Sequence, residues 1–194
     1  KRLLAHDKIP TPEFKVFNKR QVSANVPAVI DEIVKIFGLP VVVKASNQGS
    51  SIGTYIVQEA AELQKSLQAA FTYDEEILVE RFIKGTEITV SVIGNQDLQV
   101  LPIIEITSKN LFYDYDSKYT PGMCEHIIPA RIEESVQEKV KQISIQTYKT
   151  MGCRGFGRID FMIDANGNPY VLEVNTIPGF TEMSLVPDSA RAAG

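Results

Sequence analysis

The sequence reads Arg158-Ile159-Asp160-Phe161-Met162-Ile163, then Asp164-Ala165-Asn166-Gly167-Asn168, then Pro169-Tyr170-Val171-Leu172-Glu173-Val174-Asn175. Apolar residues alternate along both outer runs, which is typical of half-buried β-strands. The Asn-Gly pair between them is favoured in two-residue hairpin turns. The stretch therefore predicts an antiparallel hairpin whose core face is formed by Ile159, Phe161, Ile163, Tyr170, Leu172 and Val174.

The other face of this hairpin is polar. A turn centred on Asn166 and Gly167 places Asp160 opposite Glu173 and Arg158 opposite Asn175. Like charges directly across a strand pair are about 5 Å apart at Cβ and destabilise it, so a cation between them would explain the pattern. Ligands that offer only oxygen suit Mg²⁺ or Mn²⁺ better than Zn²⁺. We predict a metal hairpin at 156–175, with a solvated edge hairpin as the alternative.

The segment after the hairpin points to phosphate chemistry. Thr176-Ile177-Pro178-Gly179-Phe180-Thr181 is turn-forming and would bring backbone N–H groups beside the carboxylates. Metal ligands next to exposed amides are what a phosphate group requires. We therefore expect a phosphate-containing ligand at this end of the hairpin.

Composition limits the class of protein. The chain has 194 residues, of which 44% are hydrophobic and 23% charged, as in ordinary globular domains. A net charge of −4 without a basic run argues against nucleic-acid and membrane-surface partners. No apolar run approaches the roughly 20 residues of a membrane span, and no signal pattern opens the chain, so cytoplasm is the expected compartment. Cys124 and Cys153 lack CxxC spacing and are expected to be free thiols.

Periodicity predicts an α+β fold with two subdomains. Helices are predicted at 2–7, 26–37, 59–71 and 133–151, and strands at 41–44, 54–57, 77–83, 87–93 and 98–106. Residues 1–85 would form a small subdomain and 86–194 a second one. The loop 108–127 is longer than most connections, and loops of that length are often lids. We expect it to carry Lys118 over the site when closed and to be the most mobile internal segment.

A second candidate site is the small-residue loop from Lys44 to Gly53. Gly and Ser allow the backbone to approach a phosphate closely, while Lys44 would supply a positive charge. The order of Lys and Gly does not match a Walker loop, and no helix follows it. A flexible hairpin loop is the alternative. Glu80 and Glu87 bracket an apolar junction that could hold a nucleoside, although exposed glutamates beside strands are common.

In this order the motifs resemble those of ATP-grasp ligases, and within that superfamily the D-alanine–D-alanine ligase family. The matches cover nearly the whole chain: Lys44 through Gly53, Ile77-Leu78-Val79-Glu80 with Gly85 and Glu87, Phe112-Tyr113-Asp114-Tyr115 with Lys118-Tyr119, Gly152-Cys153-Arg154-Gly155 with Arg158 and Asp160, and Glu173 through Thr181 with Ser184-Leu185-Val186-Pro187. The resemblance implies an ATP-grasp fold in which the nucleotide lies between two α+β subdomains.

The resemblance also implies a role for each matched residue. ATP would be held by Lys1, Lys44, Ser51, Glu80, the backbone of Arg81, Phe82 and Ile83, Glu87, and Lys118. Two Mg²⁺ or Mn²⁺ ions would be bound by Asp160, Glu173 and Asn175, with Glu173 bridging. Lys118 and Arg158 would steady the phosphoryl group, and Arg158 with the Gly179 amide would form the oxyanion site. The second amino acid would contact Ser184 and Leu185, while the Ser50 and Tyr119 hydroxyls would link to a glutamate of an N-terminal domain.

The implied reaction joins two D-alanines for peptidoglycan synthesis. The carboxylate of the first would attack the γ-phosphate of ATP, and the amine of the second would displace phosphate from the resulting acyl phosphate. We expect the family's N-terminal domain and final helical stretch to lie outside this sequence, which would leave it inactive alone. A homodimer is one assembly that the resemblance allows. Three alternatives remain: another ATP-grasp carboxylate–amine ligase, a D-lactate or D-serine variant, and a nucleotide-binding module without chemistry. Tyr119 favours the plain dipeptide.

Overall fold

The computed structural model describes residues 1–108 and 124–194. Most of the predicted loop 108–127, including Lys118 and Tyr119, lies outside the described residues. The prediction that this loop is mobile concerns those same residues. Within the described ranges, no helix has both the length and the apolar character needed to cross a membrane.

Contacts divide the chain into two compact units. The first unit is Pro12–Phe82, and the second contains Lys1–Thr11, 83–108 and Cys124–Gly194. Helix α1 (Arg2–His6) therefore packs with the second unit. The predicted subdomains 1–85 and 86–194 stay a prediction of domain organisation. The contacts assign the first eleven residues to a different unit from the segment that follows them.

The first unit is a four-stranded antiparallel sheet with helices against it. Its elements are β1 (Phe14–Asn18), α2 (Lys19–Ala24), α3 (Val26–Phe37), β2 (Val41–Ala45), β3 (Thr54–Val57), α4 (Ala60–Ala70) and β4 (Glu76–Arg81). The strand order is β1-β4-β2-β3. Asn18 and Asn25 cap α2 and α3 by accepting backbone N–H groups. Val41, Val43, Ile77 and Val79 face the core, so alternation places Lys44 and Glu80 on the other face.

The second unit is a six-stranded antiparallel sheet. Its elements are β5 (Gly85–Gly94), β6 (Gln99–Val100), β7 (Ile104–Ser108), β8 (Cys124–Ile127), α5 (Glu134–Thr150), β9 (Gly155–Asp164), β10 (Pro169–Asn175) and α6 (Leu185–Ala193). The order is β10-β9-β5-β7-β8, and β6 also pairs with β5. Side chains of α1 and α5 pack on the apolar face of β5 and β9, and the core includes Leu4, Ile88, Val90, Val140, Ile159 and Phe161.

Outside the hairpin of β9 and β10, two local predictions were wrong and two elements were not predicted. The strand predicted at 98–106 is two strands, β6 and β7, separated at Leu101–Ile103, because Pro102 has no N–H for a ladder. The segment 124–127, predicted as loop, forms β8 against β7. Strand β1 was not predicted, because Phe14-Lys15-Val16-Phe17 alternates only weakly between polar and apolar residues. Helix α2 was not predicted either.

The hairpin of β9 and β10 has the predicted pairs next to the polar residues but a different turn. Its loop has three residues, 165–167, closed by the Asp164 N–H donating to Asn168 O at 3.0 Å, and Gly167 is left-handed at φ +75°. Near the turn, the partner of Phe161 is Val171, whereas Leu172 was the predicted partner. Val171 is therefore in the core, and the predicted core positions of Tyr170 and Leu172 are wrong. A β-bulge at Leu172 then restores the predicted pairing of Glu173 with Asp160.

Candidate functional site

One face of the second unit's sheet is polar at its centre. The core face takes the alternate residues of β5 and β9, including Ile88 and Ile159. The opposite face, called here the polar face, therefore carries Glu87, Thr89, Ser91, Arg158, Asp160, Glu173 and Asn175. Register places Asp160 between Thr89 of β5 and Glu173 of β10.

Asp160 is held in place by two neighbouring side chains of the polar face. The residue is only 8% exposed. Its Oδ1 accepts from Thr89 Oγ1 at 2.5 Å and from Arg158 Nε at 2.9 Å, and its Oδ2 accepts from Arg158 Nη2 at 2.8 Å. Hydrogen bonds that join two charged groups are shorter and stronger than neutral ones. The two arms of Arg158 therefore orient the carboxylate, and the carboxylate fixes the guanidinium on the polar face.

Glu173 and Asn175 complete an oxygen-rich row. Glu173 is paired with Asp160 across the strands, and Asn175 with Arg158. Asn175 Oδ1 accepts the Ile177 N–H at 3.2 Å, which starts the turn after β10. Within residues 1–108 and 124–194, no cluster of three or more His, Cys, Asp or Glu could hold a metal by itself. The oxygen donors of Asp160, Glu173 and Asn175 instead fit Mg²⁺, which commonly uses one or two carboxylates together with the phosphates of a substrate.

The segment 176–184 leads from β10 to α6 and is stabilised by Thr181 and Ser184. Thr181 N–H donates to Ser184 Oγ at 3.0 Å, and Ser184 N–H donates to Thr181 O at 2.9 Å. A Cβ on Gly179 would lie 3.1 Å from Ser184 Oγ, so this glycine allows close packing of the turn. The N-cap of α6 is Ser184, followed by Leu185, which is buried. Gly179, Ser184 and Leu185, predicted as substrate residues, therefore belong to one short structural segment.

The first unit pairs two predicted nucleotide residues. Lys44 Nζ lies 2.5 Å from Glu80 Oε1, and the Glu80 side chain is only 2% exposed. A buried carboxylate requires such a partner because an isolated charge is costly to remove from water. The Lys44 ammonium is thus held at the start of the loop that follows β2.

The loop 46–53 is tethered and contains two unusual residues. Ser50 and Ser51 have φ of 52° and 61°, in the left-handed region that non-glycine residues rarely adopt. Such conformations are costly and concentrate at functional sites. Asp74 holds the loop, since its carboxylate accepts the Asn47 N–H at 2.8 Å and Asn47 Nδ2 at 3.1 Å. A Cβ on Gly53 would lie 2.9 Å from the ring of Tyr73, the residue before Asp74. The segment that holds Asn47 therefore also packs against the last glycine of the loop.

Two of the three predicted adenine-binding N–H groups have partners within the protein. Arg81 N–H donates to Glu13 O at 2.9 Å and Phe82 N–H to Pro40 O at 3.4 Å. The Arg81 side chain forms an ion pair with Glu13. Among the described residues, no acceptor is found for the Ile83 N–H. Ile83 is therefore the member of the trio whose donor is available.

Lys1 lies on the second unit beside the edge of its sheet. Its Nζ is 2.7 Å from Thr11 Oγ1 and 3.5 Å from Val171 O. Pro10 O also accepts the Val171 N–H at 2.8 Å, so residues 10 and 11 cover the edge strand next to the bulge. The Lys1 ammonium is thus fixed near β10 of this unit.

The structure groups the predicted residues by unit. The second unit contains Lys1, Ile83, Glu87, Arg158, Asp160, Glu173, Asn175, Gly179, Ser184 and Leu185, and the first unit contains Lys44, Ser50, Ser51, Glu80, Arg81 and Phe82. Lys118 and Tyr119 fall outside the described ranges. Sequence reasoning missed Thr89 and Asp74. Thr89 could have been found, because it alternates with Ile88 and Val90 on a predicted strand, whereas nothing in the sequence connects Asp74 to Asn47.

Comparison with known proteins gives consistent matches. Residues 3–194 match the family described as D-ala D-ala ligase C-terminus. A D-alanine–D-alanine ligase of Pelotomaculum thermopropionicum is 47% identical over all of this chain and 61% of its own length. The crystal structure of VanG D-Ala:D-Ser ligase from Enterococcus faecalis aligns over the whole chain and 55% of its own, with a TM-score of 0.84 and 33% identity. The structure of D-alanine–D-alanine ligase from Bacillus anthracis complexed with ATP aligns over the whole chain and 58% of its own, with a TM-score of 0.79 and 33% identity.

Proposed function

This chain belongs to the D-alanine–D-alanine ligase family, and we propose that the protein containing it uses ATP to join two D-alanine molecules. The chain spans about 61% of the length of the curated relative described above, so this activity is proposed for the whole protein. The observation that carries the proposal is the polar face, where Glu173 and Asp160 oppose each other beside Arg158. We place the reaction in the cytoplasm, with ATP and D-alanine as the partners and no nucleic acid or membrane.

We propose that the nucleotide is bound by residues of each unit. In the first unit, Lys44 and the N–H groups around Ser51 contact phosphate oxygens, and Glu80 receives the adenine amino group. The left-handed conformation of Ser50 and Ser51 supports this, because such costly conformations concentrate at functional sites. The Bacillus anthracis relative solved with ATP supports the choice of nucleotide.

The second unit supplies the remaining nucleotide contacts in this proposal. Ile83 N–H donates to the adenine ring, since the Arg81 and Phe82 donors already have acceptors. Glu87 accepts from the ribose hydroxyls, and Lys1 and Lys118 contact phosphate.

The metal proposal rests on oxygen donors. Asp160, Glu173 and Asn175 would hold Mg²⁺ or Mn²⁺, which would neutralise charge on the phosphate oxygens. Because Asp160 already accepts from Thr89 and Arg158, its carboxylate is oriented before any ligand arrives. Such preorganisation avoids a reorganisation cost during the reaction.

The protein's own groups account for both chemical steps. In the first, Arg158 and Lys118 stabilise the phosphoryl group as the carboxylate of one D-alanine bonds to phosphorus and ADP leaves. In the second, the amine of the other D-alanine bonds to the acyl carbon, phosphate leaves and the amine loses a proton. The Arg158 guanidinium and Gly179 N–H hold the oxyanion formed in between. Ser50 and Tyr119 position the first amino acid, and Ser184 and Leu185 the second.

D-serine is a second candidate for the acceptor. The structural similarity to a D-Ala:D-Ser ligase, with a TM-score of 0.84, is the observation that favours it. The test is phosphate release by the complete protein with ATP, Mg²⁺ and D-alanine, repeated with D-serine or D-lactate added. Release that depends on D-alanine alone supports the dipeptide ligase, and release that needs a second compound supports the variant. Another carboxylate–amine ligase or a module without chemistry would show no D-alanine-dependent release.

A further inference from the structure

A half-buried histidine–aspartate pair joins β8 to α6 in the second unit. His126 Nδ1 and Asp188 Oδ2 are 2.6 Å apart, and their side chains are 24% and 19% exposed. A carboxylate only accepts, so the proton lies on Nδ1 and the imidazole donates. The hydrogen bond is short, one of its partners is a carboxylate, and most of it is shielded from water.

Asp188 connects this pair to the segment that holds Ser184. Its N–H donates to Ser184 O at 3.0 Å within the first turn of α6. Its other oxygen accepts from Arg191 Nη2, and Arg191 Nη2 also donates to Glu182 O at 2.6 Å. One carboxylate thus ties together a strand, a helical turn and the loop before that turn.

Helix α6 has a second anchor at the adjacent residue. Ser189 is fully buried, and its Oγ donates to Pro102 O at 2.6 Å. Leu185 and Val186 are also buried, but apolar contacts are not directional. Two directional bonds from neighbouring residues, one to strand β8 and one to the connection between β6 and β7, fix how the helix is rotated, and hence where Ser184 and Leu185 lie.

We propose that His126 and Asp188 are positioning residues for the second amino acid. Neither acts on the reacting atoms, and both act by fixing the N-terminal turn of α6. This inference rests on the proposed function, in which Ser184 and Leu185 contact the acceptor. It predicts a defect confined to acceptor binding, because the residues assigned to the nucleotide and metal make none of these bonds.

The test compares His126→Ala, His126→Asn and His6→Ala in the complete protein. Dipeptide formation is measured over a wide range of D-alanine and fitted with separate constants for the two amino acids. His126→Ala should raise the KM for the second D-alanine about tenfold, as expected for loss of a hydrogen bond to a charged group, with kcat and the KM for ATP within about twofold. In His126→Asn, the side-chain amide can donate in place of Nδ1 and should recover most of the loss.

His6 provides the matched control. Its Nδ1 is 2.7 Å from Asp7 Oδ1, but the His6 side chain is 83% exposed and lies on α1. His6→Ala should leave all constants unchanged. Amide hydrogen exchange of residues 180–186 should be faster in His126→Ala than in the parent or in His6→Ala, whether or not substrate is present.

The outcomes separate the two proposals. An inactive parent would overturn the proposed function, and this inference with it. An active parent whose His126→Ala variant keeps its acceptor KM and its exchange rates would overturn only the positioning role. Equal losses in kcat and in the KM for ATP would also overturn it, since they indicate general damage to the fold.

Discussion

Glu173 and Asp160 place two carboxylates directly opposite each other on β9 and β10. Opposed like charges destabilise a strand pair, and the metal proposed for this site would offset that repulsion. Replacing Glu173 by Gln removes the repulsion and keeps the shape. We expect Glu173→Gln to abolish metal-dependent turnover, because a proposed metal ligand is lost, while the free energy of unfolding without metal changes by no more than about 0.5 kcal/mol, as is usual at exposed positions.

Glu138→Gln is the control for that substitution. Glu138 is an exposed glutamate on α5 that forms an ion pair with Lys141, and exposed pairs contribute little. Both variants are measured by phosphate release and by urea unfolding. A Glu173→Gln protein that retains metal-dependent turnover, or that is markedly less stable, contradicts the metal role.

Glu105 makes stability depend on pH. Arg131 donates to both of its oxygens, at 3.0 and 2.6 Å, and this hydrogen bonding lowers the pKa of Glu105 despite the opposing effect of burial. A carboxyl whose pKa is lowered in the folded state stabilises the fold above its unfolded pKa, near pH 4, and loses that contribution as pH falls through the folded pKa. Glu105→Gln should therefore be less stable than the parent at pH 7, and the two curves should converge below about pH 4.

That convergence can be followed by urea unfolding at a series of pH values. Glu138→Gln again serves as control, because its curve should follow the parent throughout. Parallel curves for Glu105→Gln and the parent down to the acid limit would show that the Arg131 contact does not set this pH dependence.

At the scale of elements, the hairpin shows what sequence can predict. Alternation and Asn166-Gly167 predicted the pairs Asp160 with Glu173 and Arg158 with Asn175, and these are confirmed. The three-residue loop and the bulge at Leu172 were not predicted. Each shifts the register by one residue, and the two shifts cancel at the polar residues, so the predicted polar pairs are correct although the turn is not. Tertiary contact stabilises the bulge: Val171 N–H bonds to Pro10 O, a residue far away in sequence.

Gly85 begins β5 where the strand runs closest to β9. A Cβ at this position would lie 1.7 Å from Ile163 O, a backbone atom that cannot move without disrupting the ladder. Gly85→Ala should therefore lower the free energy of unfolding by about 3 kcal/mol, the upper end of overpacking costs. Gly152→Ala is the matched control, since Gly152 has φ +65° but no atom near its Cβ, and should cost about 1 kcal/mol. Chemical denaturation gives both values, and equal losses would rule out the backbone contact as the cause.

The tether of the loop 46–53 makes a separate prediction. Asp74→Ala removes both bonds to Asn47 and should let the loop sample more conformations. We expect the KM for ATP and the KM for the first D-alanine each to rise about fivefold, with the KM for the second D-alanine unchanged, because the loosened loop carries Ser51 and Ser50 but no residue assigned to the second amino acid. Asp31→Ala on the exposed surface of α3 is the control. An unchanged KM for ATP would contradict the proposed role of this loop in phosphate binding.

At the scale of the whole molecule, sequence predicted the α+β ATP-grasp class, which the solved ligase structures confirm. The periodicity of most helices and strands predicted the α+β class, and the resemblance of the ordered motifs to those of known ligases implied the ATP-grasp fold. The contacts of distant residues, such as His126 with Asp188 or Asp74 with Asn47, have no local signal and required coordinates. The roles of individual site residues stay predictions, and mutational kinetics on the complete protein can test them.

The measurement that tests the account most directly is the yield of D-alanyl-D-alanine per phosphate released by the complete protein with ATP, Mg²⁺ and D-alanine. We predict one dipeptide for each ADP and phosphate, with neither formed in Glu173→Gln. ATP binding without D-alanine-dependent phosphate release would contradict the ligase assignment, and so would phosphate release without dipeptide.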